Sequence, residues 1–138
     1  MIKLIIGNKG SGKTKKLVDA VNATTEQSNG NVVCIEKGET LNFSITHKAR
    51  LINTETYGIT GFEAFYGMLC GVCAGNYDVT DVFVDATLRI VGRDYDHLAD
   101  FFDRVSALSE ETNTNYVFTV SCDESDLPAH IFEIAQRY

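Results

Sequence analysis

Proline is almost absent from this sequence, one residue in 138. With only eleven glycines beside it there is no Pro/Gly-rich linker. The length suits one domain, 1–138, that buries roughly two-thirds of its unfolded surface. Long apolar runs are missing too. No stretch approaches the ~20 residues of a membrane span, and the N-terminal apolar run is too short for a secretory signal and has no cleavage site behind it. The four cysteines form no paired framework, which argues against a disulfide scaffold and makes a reducing cytoplasm the expected compartment. Basic residues are scarce where nucleic acid would need them. Asp78 to Glu133 holds 13 acidic residues against three arginines, within a formal net charge of −7. Such a surface repels a phosphate backbone, so neither nucleic acid nor a membrane is expected as partner. The 44% hydrophobic and 22% charged residues describe a soluble globular chain.

Basic charge is instead concentrated at the start. Lys3, Lys9, Lys13, Lys15 and Lys16 are five of the 12 basic residues. They surround an apolar run, Ile2 and Leu4-Ile5-Ile6, that leads into Gly7-Asn8-Lys9-Gly10-Ser11-Gly12-Lys13-Thr14. This octapeptide satisfies G-x-x-x-x-G-K-[ST], the Walker A pattern, and has the strand–loop–helix setting that gives the pattern meaning. Glycines at 7, 10 and 12 let successive N–H groups turn inward as an anion nest, and the helix from about Gly12 adds its positive dipole end. Lys13 is expected to reach the β- and γ-phosphates and the Thr14 hydroxyl to hold Mg²⁺. Cations in a helix's first turn cost about 0.3–1 kcal/mol each unless an anion joins them.

The rest alternates short apolar runs with helical patterns, which predicts an α/β domain: a three-layer α/β/α sandwich on a mostly parallel sheet. Strands are expected at Val32–Ile35, ending at Glu36, at Asp81–Asp85, and at Tyr116–Val120, ending at Ser121. Leu41, Phe43 and Ile45 alternate with polar residues ahead of Ala49–Ile52, a pattern that reads as a hairpin. Thr60 and Glu63 form a capping box for a heavily buried helix. Its glycines 67, 71 and 75 suggest close approach, to the sheet in preference to a second subunit. Further helices are expected from Asp94 to Glu111, with Asp94 as N-cap, and from Ser125 to Gln136, with Pro128 in the first turn.

Ligands of parallel sheets bind beyond the carboxyl ends of the strands, so the polar residue closing each apolar run is informative. Asp85 closes Val82-Phe83-Val84 and fits a Walker B carboxylate opposite Thr14; Asp81 begins the strand and belongs to the far edge. Ala86 occupies the place after it where many ATPases carry a glutamate. Glu36 is therefore the candidate base for orienting an attacking water, against the plainer role of a strand-terminal Glu paired to Lys37. Arg89 and Arg93 read as solvated surface residues in preference to nucleotide contacts in cis or across a dimer. Cys70 and Cys73 have redox or zinc spacing but read as small buried residues. His47, His97 and His130 share no ligand spacing.

Taken together, Gly7 to Thr14, Val32 to Glu36, Val82 to Leu88 and the strand ending at Ser121 resemble the RecA-like branch of the P-loop NTPases. The resemblance implies an ATP-binding core in which the Ser121 strand separates the Walker A and Walker B strands. It assigns Glu36 as the base and Ser121, or Thr119, as a γ-phosphate sensor. The sequence departs from that family in its acidic Cys122–Asp126 segment, where a basic DNA-binding loop would follow, and in offering no assignable arginine finger. The functional expectation is ATP·Mg²⁺ binding with slow hydrolysis. A non-hydrolysing switch for a protein partner or a second copy of the chain is the first alternative, and a small-molecule phosphotransferase the second. ATP is preferred to GTP because no guanine-reading Asp follows Asn8-Lys9.

Overall fold

A computed structural model describes all 138 residues. In chain order the elements are β1 (Ile2–Gly7), α1 (Lys13–Gln27), β2 (Asn31–Glu36), β3 (Arg50–Asn53), α2 (Phe62–Gly75), β4 (Val79–Val84), α3 (Thr87–Val91), α4 (Tyr95–Thr112), β5 (Asn115–Ser121), α5 (Ile131–Ile134) and β6 (Ala135–Arg137). The strands form one six-stranded sheet in the order β3-β2-β4-β5-β1-β6, and every pairing is parallel. Strands buried on both faces read as continuous apolar runs rather than alternating ones, as in Val32–Ile35 and Val82–Val84.

The two faces are unequal. The larger core packs Phe65, Leu69, Leu98, Phe101 and Phe102 from α2 and α4 on Leu4, Val84, Tyr116 and Phe118 of the sheet. The smaller one holds Leu17 and Val21 of α1 and Leu41 and Ile45 of the 37–49 segment against Ile5, Cys34, Phe83 and Val117. The sheet thus lies between α1 on one side and α2 and α4 on the other, the three layers expected from sequence. The strand order also matches the resemblance, because β5 lies between β1 and β4.

Five local expectations are corrected. Residues 41–49 form no hairpin arm: Ser44 and Ile45 N–H groups both donate to the Leu41 carbonyl, and Ala49 to Thr46. Leu41 and Ile45 share one side of these turns and bury against α1, leaving Phe43 fully exposed; turn geometry imitates the alternation of a strand. Thr60 is not the cap of α2. Gly61 holds that place at φ 86° with no side-chain cap, and Glu63 pairs with Arg104 instead. The α2 helix is buried on one side only. A Cβ added at Gly67, Gly71 or Gly75 would meet nothing within 4 Å, so packing within the monomer does not explain them. The C-terminal helix shrinks to Ile131–Ile134, because Leu127, placed before Pro128, is held extended at ψ 137° and the chain cannot coil through it. Residues 135–137 then pair with β1 instead.

Candidate functional site

The carboxyl edge of β1, β5 and β4 is where the site residues converge. Gly7 is in register with Ser121, and Val84 with Phe118, so Asp85 lies level with Thr119. Between β1 and α1 the chain makes a tight loop. A Cβ on Gly7 would meet the Ser11 hydroxyl at 2.5 Å, so a larger residue there would displace the loop. Gly12, the N-cap of α1, adopts φ 84°, a left-handed conformation that other residues enter only at a cost. The first helical bond of α1 is Lys16 N–H to the Gly12 carbonyl, which leaves the preceding amides without intrahelical partners at the dipole's positive end.

Lys13 is 8% exposed, and its ammonium donates to the Asn8 carbonyl at 3.0 Å and the Ser11 hydroxyl at 3.4 Å. It has no carboxylate partner, and α1 carries no acidic residue in its first turn. A nearly buried ammonium without a counter-ion is expensive unless an anion arrives. Lys15 is different, since it is exposed and pairs with Asp19.

Across the cleft Asp85 is 7% exposed. The Thr14 hydroxyl donates to its Oδ2 at 3.1 Å, and the Thr119 hydroxyl donates to Oδ1 at 2.8 Å. Thr119 in turn accepts from the Ala86 N–H at 2.6 Å, which holds Ala86 at φ 54°. A non-glycine residue in this region stores strain, and the structure accepts it directly behind Asp85. Lys9, Gly10, Gly12, Lys13, Thr14, Lys15, Asp85, Ala86, Thr119 and Ser121 line a cleft of about 400 Å³. Loop, lysine, hydroxyl, carboxylate and Ser121 are thus brought together. A larger groove of about 720 Å³ between α2 and α4 is edged by the Glu63–Arg104 ion pair and offers no comparable set of donors.

Glu36 does not line this cleft. It is 3% exposed, and its carboxylate accepts from the Thr40 N–H at 3.2 Å, the Thr40 hydroxyl at 2.7 Å and the Leu41 N–H at 3.0 Å. It fastens the start of the 37–49 segment rather than pairing with Lys37. Between the two carboxylates lies Cys34, whose thiol is pushed well above its usual range, first by burial and then by Asp85 and Glu36. It is inert. Cys73 is buried with its Sγ 3.2 Å from the Tyr116 hydroxyl, and no group of three ligating side chains gathers anywhere. A divalent cation here would depend on Asp85, Thr14 and substrate oxygens, the mode preferred by Mg²⁺.

Sequence reasoning undervalued Thr119. The period of two from Val117 through Thr119 to Ser121 puts it on the face toward α1, and that periodicity was its available signal. The short helix α3 went unseen because Thr87–Val91 is too brief to show a period.

No family model matches the chain, and no curated protein matches it either. Among solved structures it is similar to the flagellar accessory protein FlaH from Methanocaldococcus jannaschii, at 16% identity and a TM-score of 0.59. The match covers 96% of this chain and 65% of that one. At such identity the likeness concerns the fold. No helix is long and apolar enough to cross a membrane. The chain has an α/β fold with a six-stranded, all-parallel sheet, similar in its course to the FlaH structure.

Proposed function

We propose that this chain binds a nucleoside triphosphate together with Mg²⁺, with ATP the preferred nucleotide, and turns it over slowly at most. The observation that carries the proposal is Lys13, a nearly buried ammonium at a glycine-bent helix start with no carboxylate to neutralise it. A polyphosphate tail supplies that missing charge. On binding, the loop from Gly7 to Thr14 cradles the phosphates, and Lys13 exchanges Asn8 and Ser11 for phosphate oxygens. Ser121 faces the terminal phosphate from β5. Thr14 and Asp85 would hold the Mg²⁺, which supplies charge neutralisation on the phosphate oxygens. Thr119 keeps the Asp85 carboxylate oriented.

Glu36 retains its role as base only in a state where the 37–41 segment releases it, because three donors occupy its carboxylate. That observation favours a second reading: a nucleotide-dependent switch whose hydrolysis waits on a partner, a second copy of the chain or another protein. Calorimetry with Mg²⁺ and ATP tests the common ground. Wild type is expected to take up one equivalent and Lys13→Ala to lose binding at least tenfold. No uptake by wild type overturns the proposal. Single-turnover assays then separate the readings, since a switch binds without releasing phosphate.

A further inference from the structure

Gly92 closes α3 with φ 101° and turns the chain back toward the end of β5. The next residue, Arg93, is exposed and stands beside the cleft, not among the residues that line it. Its Nη1 donates to the Ser121 carbonyl at 3.2 Å, and Ser121 lines the cleft that holds Lys13, Asp85 and Thr119. Ser121 is also the register partner of Gly7, the first residue of the loop. The Cys122 thiol records the same convergence: burial, Asp126 and Asp123 raise it, while Arg93 and Lys13 both act to lower it. Two cations thus approach the end of β5.

Arg93 is free for this position. Arg104 and Arg137 are each tied to a glutamate, but Arg93 makes no ion pair. The carboxylates beside it are in use. Asp94 accepts from the His97 N–H and pairs with the His97 ring, and Asp123 accepts from the Ser125 N–H and hydroxyl. Of the five N–H donors of a guanidinium, one is spent on a carbonyl, and the planar fork suits two phosphate oxygens at once.

Resting on the nucleotide reading above, we infer that Arg93 is the residue by which this chain recognises the terminal phosphate, exchanging the Ser121 carbonyl for γ-phosphate oxygens and so distinguishing a triphosphate from a diphosphate. The arginine comes from the same chain that supplies the loop, so the discrimination needs no second subunit. It gives Arg93 a role beyond that of the solvated surface residue expected from sequence.

The test is calorimetry, with Mg²⁺ present, of a non-hydrolysable ATP analogue and of ADP on wild type, Arg93→Ala, Arg93→Lys and Arg89→Ala. Arg93→Ala is expected to weaken the triphosphate analogue about tenfold or more, the worth of one charge-assisted contact, while leaving ADP within about twofold. Arg93→Lys keeps the charge and recovers part of the loss; Arg89→Ala, on the exposed side of α3, changes neither ligand. Equal weakening of both ligands by Arg93→Ala, or no change in either, overturns the inference while the nucleotide site stands. Wild type that binds neither ligand removes the site reading itself, and Arg93's role with it. Melting of the unliganded Arg93→Ala variant is expected to match wild type, because its one hydrogen bond is exposed.

Discussion

Replacing Glu36 by Gln changes one atom at the most enclosed carboxylate of the chain. Oε2 accepts from the Leu41 N–H, and Oε1 accepts from both the N–H and the hydroxyl of Thr40. A glutamine has one oxygen to offer. If its NH₂ faces Thr40, the hydroxyl can turn and accept, but the Thr40 N–H loses its partner. If it faces Leu41, a buried N–H meets another donor. The first choice takes a charge-assisted partner from the amide of exposed Thr40, and the second leaves the amide of buried Leu41 unpaired, a loss of about 1–3 kcal/mol. Unfolding entropy of ~2.1 cal/mol/K per residue gives a chain of this length ~0.3 kcal/mol/K, so Tm should fall by ~3–10 °C. Thr40→Val removes only the hydroxyl donation and is expected to cost about 1 kcal/mol. Differential scanning calorimetry of the three proteins, paired with single-turnover hydrolysis, supplies both readouts. A Glu36→Gln protein that melts within a degree of wild type would refute the argument that this carboxylate anchors the 37–41 segment. Phosphate release abolished at unchanged Tm would return Glu36 to the role of base.

Two other outcomes follow from features away from the cleft. Gly67 and Gly71 lie mid-helix with open space where a Cβ would go, so each substitution by Ala should stabilise by about 0.5–1 kcal/mol. Thermal melts at several protein concentrations check this, and a concentration-dependent loss of Tm would show that the stripe is covered by a second copy in solution. His130 joins α5 to α4 by donating from Nδ1 to Glu133 and from Nε2 to Asp103 when its ring is protonated, and these contacts, Glu133 first, raise its pKa above the ordinary 6.5. A group raised on folding stabilises fully below its unfolded pKa and stops doing so as pH rises through the folded value. The Tm advantage of wild type over His130→Ala should therefore be present in mild acid and vanish in alkali. An advantage that grows with pH would contradict the assignment.

Much of this architecture was written in local patterns. The octapeptide and the apolar runs before Glu36, Asp85 and Ser121 located the carboxyl edge of the sheet, because strands covered on both faces need continuous hydrophobic residues. Asp94 capped its helix as its type suggested, accepting from the His97 N–H. What failed depended on distance in the chain. Leu41 and Ile45 satisfy a strand pattern and a turn pattern equally, and only the position of α1 decides between them. Glu63 fits a capping box until Arg104, 41 residues away, claims its carboxylate. Arg93 was visible only as one of two arginines after the Asp85 strand; a positive-φ glycine and the end of another strand bring it, and not Arg89, to the Ser121 carbonyl.

The strand that leads into the Gly7–Thr14 loop is flanked on its outer side by the short strand β6. Ala135, Gln136 and Arg137 pair with Ile2, Lys3 and Leu4, and the Tyr138 N–H reaches the Leu4 carbonyl. Removing residues 135–138 would leave the backbone of β1 open along its flank, ready to accept a foreign strand, and the loop it carries would then stand at the rim of the sheet instead of within it.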